Sequence, residues 1–383
     1  MKKTIFCILF SCLLCLPALS RPREVEGRKI KGSYSREVVI AASNTPKADQ
    51  KLAHYVCDGI HDEATINKAI AGLPYGGTIT LLDGDYFIDA FPGEDHSAIC
   101  FGYNEGRART INLRGFTENK SYNTRFGVVF HVTEKAFSTM DDDTQYRVFY
   151  GSPRKPESEG AYFTYTHVNN VNFENFYLLF HSNKKKLIGI DCRNFGNSYI
   201  KLVGICAESY FDDRYLHLDP QDPAEGCIGI YSMHESNDEM SRIGFDTVLL
   251  GGLYTGIHCK GVEHLIMRTC AAARCVYGYV FEGPCRKTMT MINCCDEGNT
   301  HLPKFIGTGQ LTCIDFNIER FNADYIPEDV TGDEHHFAVE TTPGGWHGFI
   351  SYTIEGKAFG VRNFWAEGSG KNFRTVNLYD PLE

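Results

Sequence analysis

Asp191, Tyr231 and His258 are side chains that can accept, donate or relay a proton, and each takes the fourth place of a similar six-residue segment. The segments are Ile188-Gly189-Ile190-Asp191-Cys192-Arg193, Ile228-Gly229-Ile230-Tyr231-Ser232-Met233 and Thr255-Gly256-Ile257-His258-Cys259-Lys260. A fourth segment, Gly278-Tyr279-Val280-Phe281-Glu282-Gly283, carries Phe281 at that place. Arg193 and Lys260 add cations two positions on. A carboxylate, a phenol, an imidazole and two cations suit proton abstraction beside a carboxylate. A cation neutralises the acid group and the enolate formed from it. The imidazole is a natural base near neutral pH, and the phenol can serve as base or acid if a cation lowers its pKa. Asp191 then orients His258, binds hydroxyl groups or helps hold a cation. These roles predict that His258→Ala and Arg193→Ala each abolish turnover and leave unfolding nearly unchanged.

For these groups to meet, the segments must be neighbouring strands. Each segment alternates in polarity, as a half-buried strand does. Aligned on Ile190, Ile230, Ile257 and Val280, the pattern puts Cys192, Ser232, Cys259 and Glu282 on the inward face. The Asp191, Tyr231, His258 and Phe281 column then faces outward. The offsets between column members are 40 (191 to 231), 27 (231 to 258) and 23 (258 to 281) residues. The last two fit one coil of a solenoid. The first fits a coil with an insertion, the polar run Glu208 to Glu225. Parallel strands stack at ~4.8 Å, which places His258 roughly 10 Å from Asp191.

Several accessory residues could serve the same face. His234 and Glu235 follow the Tyr231 strand and are candidate substrate-binding groups, as is Lys186 in the Lys184-Lys185-Lys186 run, which could steer an anionic polymer. Calcium is a candidate cofactor, with oxygen ligands available from Asp212-Asp213, Asp219 and Asp222, or Glu235, Asp238 and Glu239, though no spacing specifies a site. A glycoside hydrolase would instead need two carboxyl groups ~5–5.5 Å or ~6.5–9.5 Å apart. Asp191 could pair with Glu208, Glu235 or Asp238 for that purpose. Trp346-His347 reads as a loop, where a Trp can stack on a sugar ring.

The chain begins with Lys2-Lys3, an apolar run from Ile5 to Leu16 and a small-x-small site at Ala18-Leu19-Ser20. That is the layout of a secretory signal, and the run is too short to span a membrane. An exported protein is expected, periplasmic or secreted, with residues 21–37 as a leader and 38–383 as a single domain. Lipoprotein anchoring is not expected, because Leu9-Phe10-Ser11-Cys12 comes too early in the run. Loss of Lys2 and Lys3 takes the formal charge from −10 to −12, which argues against a nucleic-acid partner. Cys7, Cys12 and Cys15 leave with the signal, so 12 of the 15 cysteines remain. They sit in strand-like runs with no Cys-x-x-Cys pair, and read as buried thiols rather than a disulfide framework or a zinc site.

Residues Val39 to Ile88 indicate the architecture. Val56-Cys57-Asp58-Gly59 leads to Asp62, a fair helix N-cap, and to a stripe of Ile66, Ala69, Ile70 and Leu73 at helical spacing. Gly72 and Pro74 stop the helix. Gly76-Gly77-Thr78 and Asp83-Gly84-Asp85-Tyr86 punctuate the strands that follow. This run resembles the N-terminal cap and first coil of the pectate-lyase-like, right-handed parallel β-helix superfamily. The resemblance implies an all-β solenoid with an N-terminal capping α-helix that shields edge strands. It does not fix an activity, since the superfamily holds lyases, hydrolases and binding proteins. Together with the column, it leads to a polysaccharide lyase acting on a uronic-acid-containing polymer of pectin or glycosaminoglycan type. A hydrolase of the same fold and a non-catalytic carbohydrate-binding protein stand as alternatives.

Overall fold

Alternating sequence becomes strand through much of the described part of the chain, and there almost every strand pairs parallel with a later one. The computed structural model describes residues 36–102, 109–117, 127–151, 169–193, 195–211, 223–233, 242–262, 264–282, 288–301, 303–314, 316–319, 338–349, 351–354 and 357–360. The strands form three parallel ladders. The first runs through Glu37–Ala41, Gly77–Leu81, Arg109–Gly115, Asn169–Phe180, Asn197–Ala207, Arg242–Gly251, His264–Arg268 and Thr288–Ile292. The second runs through Gly84–Ile88 and Val128–Val132, the distal halves of the long strands, then Ala271–Ala273, Cys295–Glu297 and Phe316–Glu319. The third runs through Ser97–Cys100, Tyr146–Tyr150, Leu187–Asp191, Ile228–Met233, Thr255–Lys260 and Tyr277–Glu282. Strands Ser351–Ile354 and Lys357–Gly360 pair antiparallel. The result is a mostly β, solenoid-like stack of parallel strands.

The corner between the first and second ladders is made by single residues in the left-handed region. Asn175 (φ 59°), Leu202 (53°), Thr247 (58°), Thr269 (51°) and Asn293 (52°) occupy equivalent positions on successive coils. Asn adopts this conformation readily, whereas Leu and Thr are strained in it. Just before this corner, Arg114, Glu174, Lys201, Asp246 and Arg268 face one another on consecutive strands of the first ladder. Signs alternate along this row. Slipping any one strand would carry its charge away from its opposite-signed neighbours, so the row helps to hold the register.

The main apolar cluster runs from Val38 to Phe316, and a smaller one gathers Val129, Tyr177, Leu179, Cys206 and Leu249. The middle of the main cluster is aromatic, with Phe130 edge-on to Phe149 and Phe176, and Phe101 edge-on to Phe173 and Phe195. The helix Asp62–Ala71 packs Ile66, Ala69 and Ile70 into this cluster and ends at Gly72. Asp62 is not its N-cap. His61 holds that position at φ 54°, and Asp62 is the first helical residue. The Asp62 carboxylate is buried and accepts from the backbone N–H groups of Gly59 (3.1 Å) and Phe87 (2.9 Å). It joins the helix to a strand instead of closing the helix end. Trp346 and His347 also differ from expectation. They lie within strand Ala338–Phe349, opposite Gln310 and Leu311, where ladder pairing outweighs the Gly-rich character of the run.

The repeat that first marks the third ladder has a steric basis in its glycines. Ile188, Ile228, Thr255 and Tyr277 are in register, so Gly189, Gly229, Gly256 and Gly278 form a column. A Cβ at Gly189 would sit 2.7 Å from the Gly229 carbonyl oxygen, one at Gly229 2.7 Å from that of Gly256, and one at Gly256 2.6 Å from that of Gly278. Each coil approaches the next too closely there for any side chain. This column corrects the alignment of the last segment by one residue. His258 faces Val280, not Phe281, and Lys260 faces Glu282. Phe281 turns inward and is fully buried, stacked on Tyr279 with centroids 6.3 Å apart. Glu282 turns outward.

Candidate active site

Asp191, Tyr231 and His258 are direct neighbours on consecutive strands of the third ladder, in the order the spacing predicts. Cys192, Ser232 and Cys259 occupy the inward column beside them and are buried. Every cysteine among the described residues is a free thiol, and all but Cys100 and Cys295 are buried. Two further members of the outward column were not singled out from sequence. Tyr150 pairs with Asp191, and Cys100 with Tyr150. The Tyr146–Tyr150 strand lacks the glycine that marks the other segments, so only its alternation could have aligned it.

Asp191 does not present its carboxylate to solvent. It is fully buried and covered by two arginines. Arg147 Nε donates to Oδ2 at 2.8 Å, and Arg193 donates from Nη2 to Oδ2 at 2.7 Å and from Nε to Oδ1 at 2.9 Å. The Arg193 backbone N–H adds a bond to Oδ1 at 3.1 Å. Asp191, expected to orient His258 or to serve as a hydrolytic carboxyl group, directs its oxygens to guanidinium and backbone N–H groups. Arg193, expected as a cation for a substrate carboxylate, is bonded to Asp191 here. Burial opposes its charge, but the hydrogen bonds to Asp191, together with the charge of Asp191 and the nearby Tyr150 and Tyr231, outweigh burial and raise its pKa above the ordinary value. Its removal would leave the buried Asp191 carboxylate with Arg147 as its remaining guanidinium partner.

Tyrosine rings hold the guanidiniums in place. Arg193 lies over both Tyr150 (5.5 Å) and Tyr231 (5.7 Å), and Arg147 lies over Tyr150 (5.1 Å). Stacking of this kind adds to the hydrogen bonds and restrains the flat groups. The Tyr150 hydroxyl donates to Asp95 Oδ2 at 2.7 Å, while the Asp95 carbonyl accepts from Arg147 Nη1 at 2.6 Å. Burial, and then this bond to Asp95, push the Tyr150 pKa up, so it stays a neutral donor. Asp95 (φ 50°) and His96 (φ 55°) are consecutive left-handed residues at this edge of the site.

Toward the later coils the site changes character. The Tyr231 ring meets His258 edge-on, with centroids 5.2 Å apart. Burial lowers the His258 pKa below its ordinary value; Glu282 opposes the shift and Lys260 reinforces it. The imidazole is therefore neutral near pH 7. Its Nε2 is buried, 3.5 Å from Glu282 Oε2, and makes no well-formed hydrogen bond. Lys260 Nζ stands 3.7 Å from the same Glu282 oxygen, and its side chain is 47% exposed. A neutral base, a phenol and an accessible ammonium thus share one face, beside a rigid Asp–Arg frame.

The other candidates are more scattered. His234 and Glu235 lie outside the described residues, as do Asp212, Asp213, Asp219, Asp222, Asp238 and Glu239. Glu208 opens the short 3-10 helix Glu208–Phe211 that follows strand Asn197–Ala207, and pairs with His181 at 3.3 Å. Lys185 is paired with Asp142. The Lys186 carbonyl accepts from Tyr146 N at 2.9 Å, which puts Lys186 where the chain enters the third ladder. Among the described residues, no group of three or more His, Cys, Asp or Glu side chains is placed to hold a metal ion, and no helix is long and apolar enough to cross a membrane. No family model, curated protein or solved structure is significantly similar to the chain.

Proposed function

We propose that the chain is a right-handed parallel β-helix of the pectate-lyase-like kind, capped by the Asp62–Ala71 helix, and that it is an exported lyase of uronic-acid-containing polysaccharides. One observation carries the catalytic reading: His258, kept neutral by burial, lies on an outward face against Tyr231 and beside the accessible Lys260. In β-elimination His258 takes the proton from C5 of the uronate. Lys260 neutralises the carboxylate and the enolate that develops from it. Tyr231 delivers a proton to the leaving O4. Asp191, Arg147, Arg193 and Tyr150 form the frame against which Tyr231 is held. The capping role of the helix is supported by its apolar stripe, which packs into the first coils of the core.

The test is a screen on pectate, alginate, chondroitin, dermatan and hyaluronan. Ultraviolet absorbance from an unsaturated uronide is the expected product signal, and it should vanish in His258→Ala. New reducing ends without that absorbance would mean hydrolysis, and binding without cleavage would mean a carbohydrate-binding protein. Either outcome overturns the lyase reading. Loss of activity on chelation, restored by calcium, would add a cation to the mechanism.

A further inference from the structure

Glu282 is shared by two groups and closes on neither. Its Oε2 is 3.5 Å from His258 Nε2 and 3.7 Å from Lys260 Nζ. Good hydrogen bonds to a carboxylate are shorter, ~2.7–2.9 Å. A buried polar nitrogen left without a partner, as His258 Nε2 is, calls for an explanation. The side chains at hand are Tyr231 from the preceding strand, Lys260 from His258's own strand and Glu282 from the following strand, where Val280 lies directly opposite. Arg193 lies beyond Tyr231 and is bonded to Asp191.

We propose that Lys260 is the docking point for the carboxylate of an acidic saccharide, and that this carboxylate displaces Glu282 from Lys260. Glu282, so released, closes on His258 Nε2. The inference rests on the same site as the proposed lyase, but it concerns binding and not turnover. Two effects act in one direction. The ligand's anion cancels the Lys260 charge that opposes a proton on His258, and Glu282 becomes available to His258 alone. Proton affinity at His258 rises, so the acidic saccharide and a proton bind cooperatively: below the midpoint the imidazole takes up a proton from solvent, and above it the still neutral imidazole is the stronger base. In a reaction cycle, the same device would make His258 a stronger base only once an acidic sugar is seated. A neutral sugar would leave it weak, which is a means of selecting substrate by charge.

The coupling is read by NMR titration of isotope-labelled imidazoles, with the His258 signal assigned by its absence in His258→Gln. Galacturonate and glucuronate trisaccharides are the probes, and a neutral trisaccharide is the control. At saturation an acidic probe should tighten proton binding at His258 about ten-fold, raising its midpoint by about one pH unit. The neutral sugar should not move it. In Glu282→Gln the response should largely disappear. In Lys260→Met the midpoint should already be higher without ligand and should not respond to acidic probes. The proposal is overturned if no acidic probe binds, if the midpoint stays fixed at saturation, or if Glu282→Gln responds like the wild type. A chain that shows the coupling but cleaves no polymer would sink the lyase reading alone. Cleavage without the coupling would sink this one alone.

Discussion

Truncating Asp191 should destabilise the protein before it affects any chemistry. Asp191→Ala removes the acceptor for Arg147 Nε at 2.8 Å and for Arg193 Nη2, Nε and N at 2.7, 2.9 and 3.1 Å. The arginine side chains are only 11% and 18% exposed, so water reaches them poorly. Removing one partner from a buried ion pair costs about 3–5 kcal/mol, because the remaining charge is left uncompensated. Two guanidiniums are stranded here. Their partial exposure and their contacts with Tyr150 and Tyr231 soften the loss, which sets the expectation near the lower end, about 3 kcal/mol. Urea unfolding followed by intrinsic fluorescence would show a lower midpoint with the slope unchanged. A matching control replaces the whole cluster. Arg147→Met, Arg193→Met and Asp191→Leu together should recover to within about 1 kcal/mol of wild type, since an apolar set of similar volume strands no charge. If Asp191→Ala loses less than about 1 kcal/mol while turnover collapses, the structural assignment of Asp191 is wrong.

Other consequences follow from the same geometry. Gly229→Ala places a Cβ 2.7 Å from the Gly256 carbonyl oxygen and 2.6 Å from Leu250 Cδ2, and should cost about 1–3 kcal/mol in a urea titration; a neutral result would contradict the close coil spacing. Leu202→Asn relieves a left-handed Leu at φ 53° and should raise stability by about 1 kcal/mol, read as a higher urea midpoint. The lowered pKa of His258 gives a pH signature with a fixed sign. Because the folded state favours the neutral imidazole, its contribution is full above about pH 6.5 and is lost as pH falls toward the folded-state value. The stability of wild type relative to His258→Gln should therefore shrink on acidification through that window, and a difference that grows instead would refute the burial argument.

Much of the fold was legible because strand stacking leaves a periodic trace. Alternation located the strands, and offsets of 40 and 27 residues placed Asp191, Tyr231 and His258 in true register. The last coil was misjudged by one residue because Val280 looks like the isoleucines of the earlier segments. Gly278, whose partner is Gly256, carries the real constraint, and that constraint is a backbone contact. Asp62 looked like a helix cap because its type suits one, yet strand Gly84–Ile88 supplied a better use for its carboxylate.

The candidate site shows the same division. Periodicity alone determined which side chains share an outward column, since a parallel ladder repeats every coil and side chains alternate along each strand. It could not determine what each group does there. Arg147 and Tyr150 come from a strand without the glycine mark, and only packing brought Arg147 onto the buried Asp191 carboxylate and over the Tyr150 ring. Only packing, too, left Glu282 between His258 and Lys260. Burial and ionic pairing depend on distances between side chains from separate coils, and a linear pattern does not contain those distances.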